Sequence, residues 1–286
     1  MNIESVRKEW TNRVVDGSFT LLRWLGGSEA GVVFLTELRG DRPMKAAIKL
    51  IPADADEADS RFAGWLAARD LSHPHLARLF YSGRCRMDNR EMIYAVTEYS
   101  DELLAEIVAE RPLSPHEGRE MLGPAVDALV YLHSKGLVHG RIKPSNIMVV
   151  NDQLKISGDS LYVMALPEKR SPALGPYDAP ERADGEITPS SDVWSLGVTL
   201  IEAMTQLVPT WDRSAGSEPA TNMPLLPPFA EIAQECLRVD PANRCTLGEI
   251  NACLKSGTPI PKRSSTAETK LRSTVRADST RWRARA

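Results

Sequence analysis

The stretch Leu137-Val-His-Gly-Arg-Ile-Lys-Pro-Ser-Asn-Ile-Met-Val-Val150, with Leu154-Lys-Ile-Ser-Gly-Asp-Ser160 close behind it, decides how the rest of the chain is read. It gathers His139, Arg141, Lys143 and Asn146, yet no carboxylate lies between His139 and Val150. Arg141 keeps its proton at any working pH and offers no acceptor, so it cannot take a proton from a hydroxyl. The second segment supplies one acid, Asp159, directly after Gly158, which has no side chain to offer.

Around this stretch lie 286 residues, 42% of them hydrophobic, enough for one large two-lobed unit or two small domains. The cysteines Cys85, Cys236, Cys245 and Cys253 show no close or C-x-x-C spacing, which fits a reduced, cytosolic setting and ordinary small apolar roles better than a disulfide framework. No apolar run is long enough to span a membrane, and Met1-Asn-Ile-Glu-Ser-Val-Arg-Lys-Glu9 is too charged for a signal peptide. The formal charge of −3 hides an asymmetry, since from residue 255 onward there are nine cations and only two acids. An acidic body followed by a basic, Ser/Thr-rich segment predicts a folded unit and a solvated tail.

Upstream, Phe19 to Gly26 reads as a strand, Gly31 to Leu38 as its hairpin partner and Met44 to Ile51 as a third strand. Gly26-Gly-Ser-Glu-Ala-Gly-Val-Val33 joins the first two, and Ala47-Ile48-Lys49 follows at a fixed distance. A helix is expected from Glu57 to Leu71, then His73-Pro-His75, then a strand Ile93 to Tyr99. Ser114-Pro-His-Glu117 is a capping box with Pro at the first helical position, opening a helix to about His133 whose apolar face includes Leu122, Val126, Leu129 and Val130. Downstream come Gly175-Pro-Tyr-Asp-Ala-Pro-Glu181, Ser191-Asp-Val-Trp-Ser-Leu-Gly197 and Asp240-Pro-Ala-Asn-Arg244, with a second capping box, Thr246 to Glu249, opening a last helix that ends near Lys255.

In their joint order and spacing, from about Phe19 to Leu254, these segments resemble the protein kinase superfamily, of the serine/threonine and bacterial type. The resemblance implies an α+β, bilobal fold: a small, mainly antiparallel β N-lobe with one helix, and a larger, mainly helical C-lobe. The corresponding division is a lead-in over residues 1–18, the N-lobe over 19–97, the C-lobe over 98–254 and a basic tail or linker over 255–286. It also implies a nucleotide site made of Gly26, Ser28, Gly31 and Val33 in a Gly-rich loop, Ala47 and Lys49 on a strand, Thr97, Glu98 and Tyr99 at the hinge, and Lys143 and Asn146 below. Glu181 paired with Arg244, and Asp192 accepting from the loop backbone, are its implied structural contacts.

The departures carry the functional reading. In the family the loop reads H-R-D-L-x-x-x-N and a D-F-G follows, supplying a base, an Asn and an Asp for Mg²⁺. Here Arg141 stands at the base, Gly158 at the metal Asp and Gly64 at the helix Glu that partners Lys49, so Lys49 is expected to lack its usual partner. The resemblance therefore implies a pseudokinase that signals or scaffolds through other proteins and binds ATP with little need for Mg²⁺. The alternative is a weakly active serine/threonine kinase in which Asn146 and a shifted Asp159 hold the metal. No nucleic-acid partner is expected. The tail suits a cytoplasmic module that approaches acidic membrane headgroups or leads to a transmembrane segment outside this sequence.

Overall fold

A computed structural model describes residues 3–28, 31–40, 42–55, 57–100, 102–164, 174–210, 218–219 and 224–263. The amino-terminal part runs through helix α1 (Ile3–Trp10), the short pair β1 (Val14–Val15) and β2 (Phe19–Thr20), strands β3 (Arg23–Ser28), β4 (Gly31–Leu38) and β5 (Met44–Pro52), helix α2 (Ala58–Ala67), and strands β6 (Leu79–Met87) and β7 (Arg90–Glu98). The five long strands form one antiparallel sheet in the order β3-β4-β5-β7-β6. Alternation sorts their faces: Val32 and Phe34 of β4 and Ile48 and Leu50 of β5 are buried in the small core, while Val33, Ala47 and Lys49 point the other way. That second face is the one turned toward the rest of the molecule.

The lead-in is more than a polar approach. Val6 and Trp10 of α1 are buried in the same core cluster as Phe34 and Met92, and the Trp10 indole donates to Asp88 at 2.6 Å. α2 is shorter than the sequence suggests. It gives way at Ala68 to a turn closed by the Leu71 amide on the Ala68 carbonyl, which redirects the chain toward β6.

The carboxy-terminal part comprises β8 (Glu102–Leu103), α3 (Leu104–Glu110), α4 (Pro115–Ser134), β9 (Leu137–Val138), β10 (Ile147–Val150), β11 (Gln153–Ile156), β12 (Tyr162–Val163), α5 (Pro189–Thr205), α6 (Phe229–Cys236) and α7 (Leu247–Ser256). Both expected capping boxes are formed, Ser114 with Glu117 and Thr246 with Glu249. On α4, Leu122, Val126 and Leu129 are fully buried, whereas Val130 is 47% exposed. One residue beyond Leu129 is about 100° further around the helix, enough to leave the buried stripe. α5 is buried on nearly every side and forms the centre of this lobe. The bilobal α+β architecture is thus present.

The folded unit also runs past Leu254. Ile260 is buried and its amide donates to Glu231 at 2.8 Å, and Arg263 pairs with Glu249 at 2.7 Å. Arg263, placed in the tail by its charge and by the end of the resemblance, is therefore a structural residue, and the basic segment from residue 264 onward lies outside the described residues. The cysteines are free thiols, but Cys236 and Cys245 come together, their buried sulfurs 3.6 Å apart. Among the described residues no helix is long and apolar enough to cross a membrane.

Candidate functional site

Between the two lobes lies a cleft of about 870 Å³. The β3–β4 hairpin roofs it with Gly26, Ser28, Gly31 and Val33, and β5 contributes Ala47 and Lys49. The end of β7 and its continuation add Thr97, Glu98 and Tyr99, and Lys143, Asn146 and Asp159 close the floor and back. All eleven residues that the resemblance assigned to a nucleotide site therefore border one cavity. Glu98 is less available than expected. Its amide donates to the Arg78 carbonyl at 3.0 Å and its carboxylate holds Lys155 at 2.7 Å. The Tyr99 hydroxyl accepts from Arg23, and the Asn146 side-chain amide donates to the Arg141 carbonyl at 2.7 Å, stapling its own loop.

Lys49 does have a partner. Its ammonium lies 2.6 Å from the Asp159 carboxylate, which comes from the opposite lobe. Burial opposes charge on both groups, lowering the Lys49 pKa, while Lys49 beside it holds the Asp159 carboxyl well below the usual carboxylate range despite that burial. The charged helix residue that faces this pair is Arg61, not a residue at Gly64. Arg61 lines the cleft, Gly64 does not, and Arg61 adds a like charge that disfavours the Lys49 ammonium.

The two unexpected glycines are explained by close packing. A Cβ at Gly158 would stand 2.2 Å from the Ala77 carbonyl oxygen. The segment is pressed there because Ala77 donates to the Ile156 carbonyl and Ile156 donates to the His75 carbonyl. A Cβ at Gly64 would stand 1.9 Å from the Leu161 oxygen, since α2 lies directly on the Leu161–Tyr162 backbone. Neither position accepts an acid without moving backbone.

Arg141 reaches into the cleft and pairs with Glu57 at 2.8 Å. Glu57 is shared: Arg182 lies at 2.8 Å, Arg61 at 3.2 Å, and the Tyr162 hydroxyl donates to it at 2.8 Å. Partial burial raises the cost of its charge, yet Arg141, Arg61 and Arg182 together hold its carboxyl far below the usual range. Lys143 makes no ion pair among the described residues, and burial together with the neighbouring Arg141 lowers its pKa. Cations thus outnumber anions along this wall.

Below the cleft, Asp192 at the start of α5 accepts from the backbone amides of His139 at 2.9 Å and Gly140 at 2.6 Å, and contacts the His133 ring at 2.9 Å. Arg244 grips Glu181 with two parallel bonds of 2.6 and 2.7 Å. The Asp192 contacts fix the Leu137–Val150 stretch to the helical core, and the Arg244–Glu181 pair ties the segment before α5 to the one before α7. Sequence reasoning missed Glu57, Arg61, Arg182 and Tyr162. The Glu57/Arg61 pair had the i,i+4 spacing of a helix-surface ion pair, but nothing in the sequence brings Arg141 and Arg182 to the same carboxylate.

A model of the protein kinase domain matches residues 19–255. The serine/threonine-protein kinase PrkC of Bacillus subtilis is 29% identical over 71% of this chain and 33% of its own length. A probable serine/threonine-protein kinase of Thermomonospora curvata, PkwA, is 31% identical over 84% of this chain and 34% of its own length. The chain thus spans about a third of the length of these relatives. Among solved structures, the PknI kinase domain of Mycobacterium tuberculosis superposes with a TM-score of 0.68 at 23% identity, covering 87% of this chain and 99% of that domain, a likeness of fold.

Proposed function

The chain belongs to the protein kinase family, and on that footing we propose that it is a pseudokinase: a kinase fold that binds a nucleotide without performing phosphoryl transfer and acts through protein partners. The observation that carries this reading is the fate of the two carboxylates that face Lys49 and Arg141 in the cleft. Asp159 is consumed by Lys49 and Glu57 by three arginines, and both are held far below the range in which a carboxylate takes up a proton. A general base contributes about 10² to 10⁴ in rate, and Arg141 stands at its position. The donor set also suits Mg²⁺ poorly. Gly158 offers no side-chain ligand and Asp159 is paired with Lys49, so the Asn146 amide oxygen is the one uncommitted oxygen of the family's metal positions, while Mg²⁺ requires near-octahedral oxygens.

A nucleotide polyphosphate is a better match for this wall than a metal. Lys143 and Arg141 offer direct charge to phosphate oxygens, and a guanidinium does so through paired N–H donors. Binding is weak, because no metal clamps the phosphates. A cytoplasmic signalling or scaffolding role among proteins, without nucleic acid, completes the reading, with the basic tail as an approach to acidic headgroups.

Incubation with labelled ATP, Mg²⁺ and generic protein substrates should transfer no label. Stoichiometric labelling that disappears with Lys49→Met overturns the proposal. The second reading, a weakly active kinase, draws on Asp159 lying in the cleft beside Lys49. Its signature is a thermal shift by ATP that requires Mg²⁺ and is lost in Asp159→Ala. The pseudokinase reading expects the shift in chelator, following RT ln(1 + [L]/Kd).

A further inference from the structure

We infer that phosphate bound in the cleft takes Arg141 from Glu57 and thereby unlatches α2 from the carboxy-terminal lobe, so that occupancy is reported by helix position instead of by catalysis. This rests on the reading that a nucleotide binds here, and it names how that site is regulated.

Glu57 stands at the N-cap of α2 but its side chain caps nothing. It reaches instead across the lobe boundary to three separate segments: Arg141 in the loop after β9, Tyr162 in β12 and Arg182 in the 3-10 helix Pro180–Asp184. One carboxylate therefore holds the start of the helix to the other lobe. Arg61 adds the fourth contact from α2 itself.

The latch has two faces. Glu57, Arg61 and Arg141 line the cleft, whereas Tyr162 and Arg182 are not among its lining residues. A ligand in the cleft can therefore reach Arg141 and Arg61 but not Tyr162 or Arg182. The latch is also unbalanced: of the three guanidiniums that crowd Glu57, Arg182 alone has a second carboxylate among the described residues, Asp178 at 3.4 Å, and the buried Arg141 Nε has no acceptor among them. A polyphosphate offers that guanidinium two oxygens and more than one negative charge, matching its fork better than a shared carboxylate does. Two anions on the same guanidinium repel each other, and Glu57, 27% exposed, has a route to water. Phosphate and Glu57 thus compete for Arg141. Coupling of this kind is reciprocal: what loosens the latch must tighten the ligand, and the reverse.

The test measures ATP affinity in chelator for the wild-type chain and for Glu57→Gln, which keeps the shape and removes the competing charge. Affinity should rise about fivefold or more, the lower end of ordinary coupling between sites. In parallel, hydrogen exchange on the wild-type chain reads the amides of Ala58 and Arg61, which bond to the Ala55 and Glu57 carbonyls. ATP in chelator should make these amides exchange faster, against the usual protection by a ligand. If the wild type binds ATP but Glu57→Gln binds no tighter, or the two amides are unchanged or protected, the latch is wrong and the binding reading survives. If neither protein binds ATP, both fall together. Should Glu57→Gln fail to fold, the wild-type exchange result decides alone.

Discussion

Arg244 and Arg141 are the same side chain in opposite circumstances. Arg244 is buried and makes five hydrogen bonds, two to Glu181 and three to the carbonyls of Arg238, Val239 and Ser190, with the Trp194 ring stacked 5.0 Å away. Its donors are satisfied and its charge is matched by one carboxylate. Arg141 shares its carboxylate with two other guanidiniums and leaves its Nε without an acceptor among the described residues. The first arrangement has nothing left to bind and serves the fold. The second has spare positive charge on an open wall, which is what a binding site needs and a purely structural contact does not.

The sharpest way to break this contrast is Arg244→Ala. It strands the Glu181 carboxylate, 9% exposed, and should cost about 3 to 5 kcal/mol, the usual consequence of halving a buried pair. Denaturant unfolding measures it, and an unchanged midpoint would mean that the pair is no anchor. Next in size is Gly158→Asp, which restores the acid that active relatives are expected to carry. Its Cβ collides with the Ala77 carbonyl, so it should destabilise by about 1 to 3 kcal/mol, as overpacking does, and should not confer phosphoryl transfer. Transferase activity appearing in a stable Gly158→Asp variant would show the cleft to be more tolerant than its packing implies.

The smallest effect concerns pH. The folded-state pKa of Glu57 is depressed, so the stability it contributes is present above the ordinary glutamate value, about 4.3, and is lost as pH falls toward the folded value. Thermal melts of the wild-type chain should hold steady down to about pH 5 and decline below it, with a shallower decline in Glu57→Gln. Because Glu57 is 27% exposed, solvent trims the difference. Parallel acid limbs in the two proteins would mean that the three arginines do not act on Glu57.

Much of this was legible in the sequence where local chemistry decides. Strand β4 begins and ends at Gly31 and Leu38 as its pattern indicates, and the Ser114 and Thr246 capping boxes open their helices. The cleft lining followed from motif spacing. What escaped was long-range electrostatics. Counting along the chain put Gly64 opposite Lys49, but the helix turns Arg61 toward that end of the cleft and the lysine finds Asp159, far away in sequence. Similarly, Trp10 and Arg263 carry no motif, and only the surfaces they cover make them part of the folded unit.

Trp65 sits against the Asp159 backbone. Its ring is fully buried and its indole N–H donates to the Asp159 carbonyl at 3.1 Å, while Trp24 borders the cleft from the roof. The chain therefore carries two native fluorophores beside the cleft, one of them hydrogen-bonded to the backbone of the residue that holds Lys49. An emission shift in unlabelled protein becomes an optical record of whether the cleft is filled, independent of any enzymatic turnover.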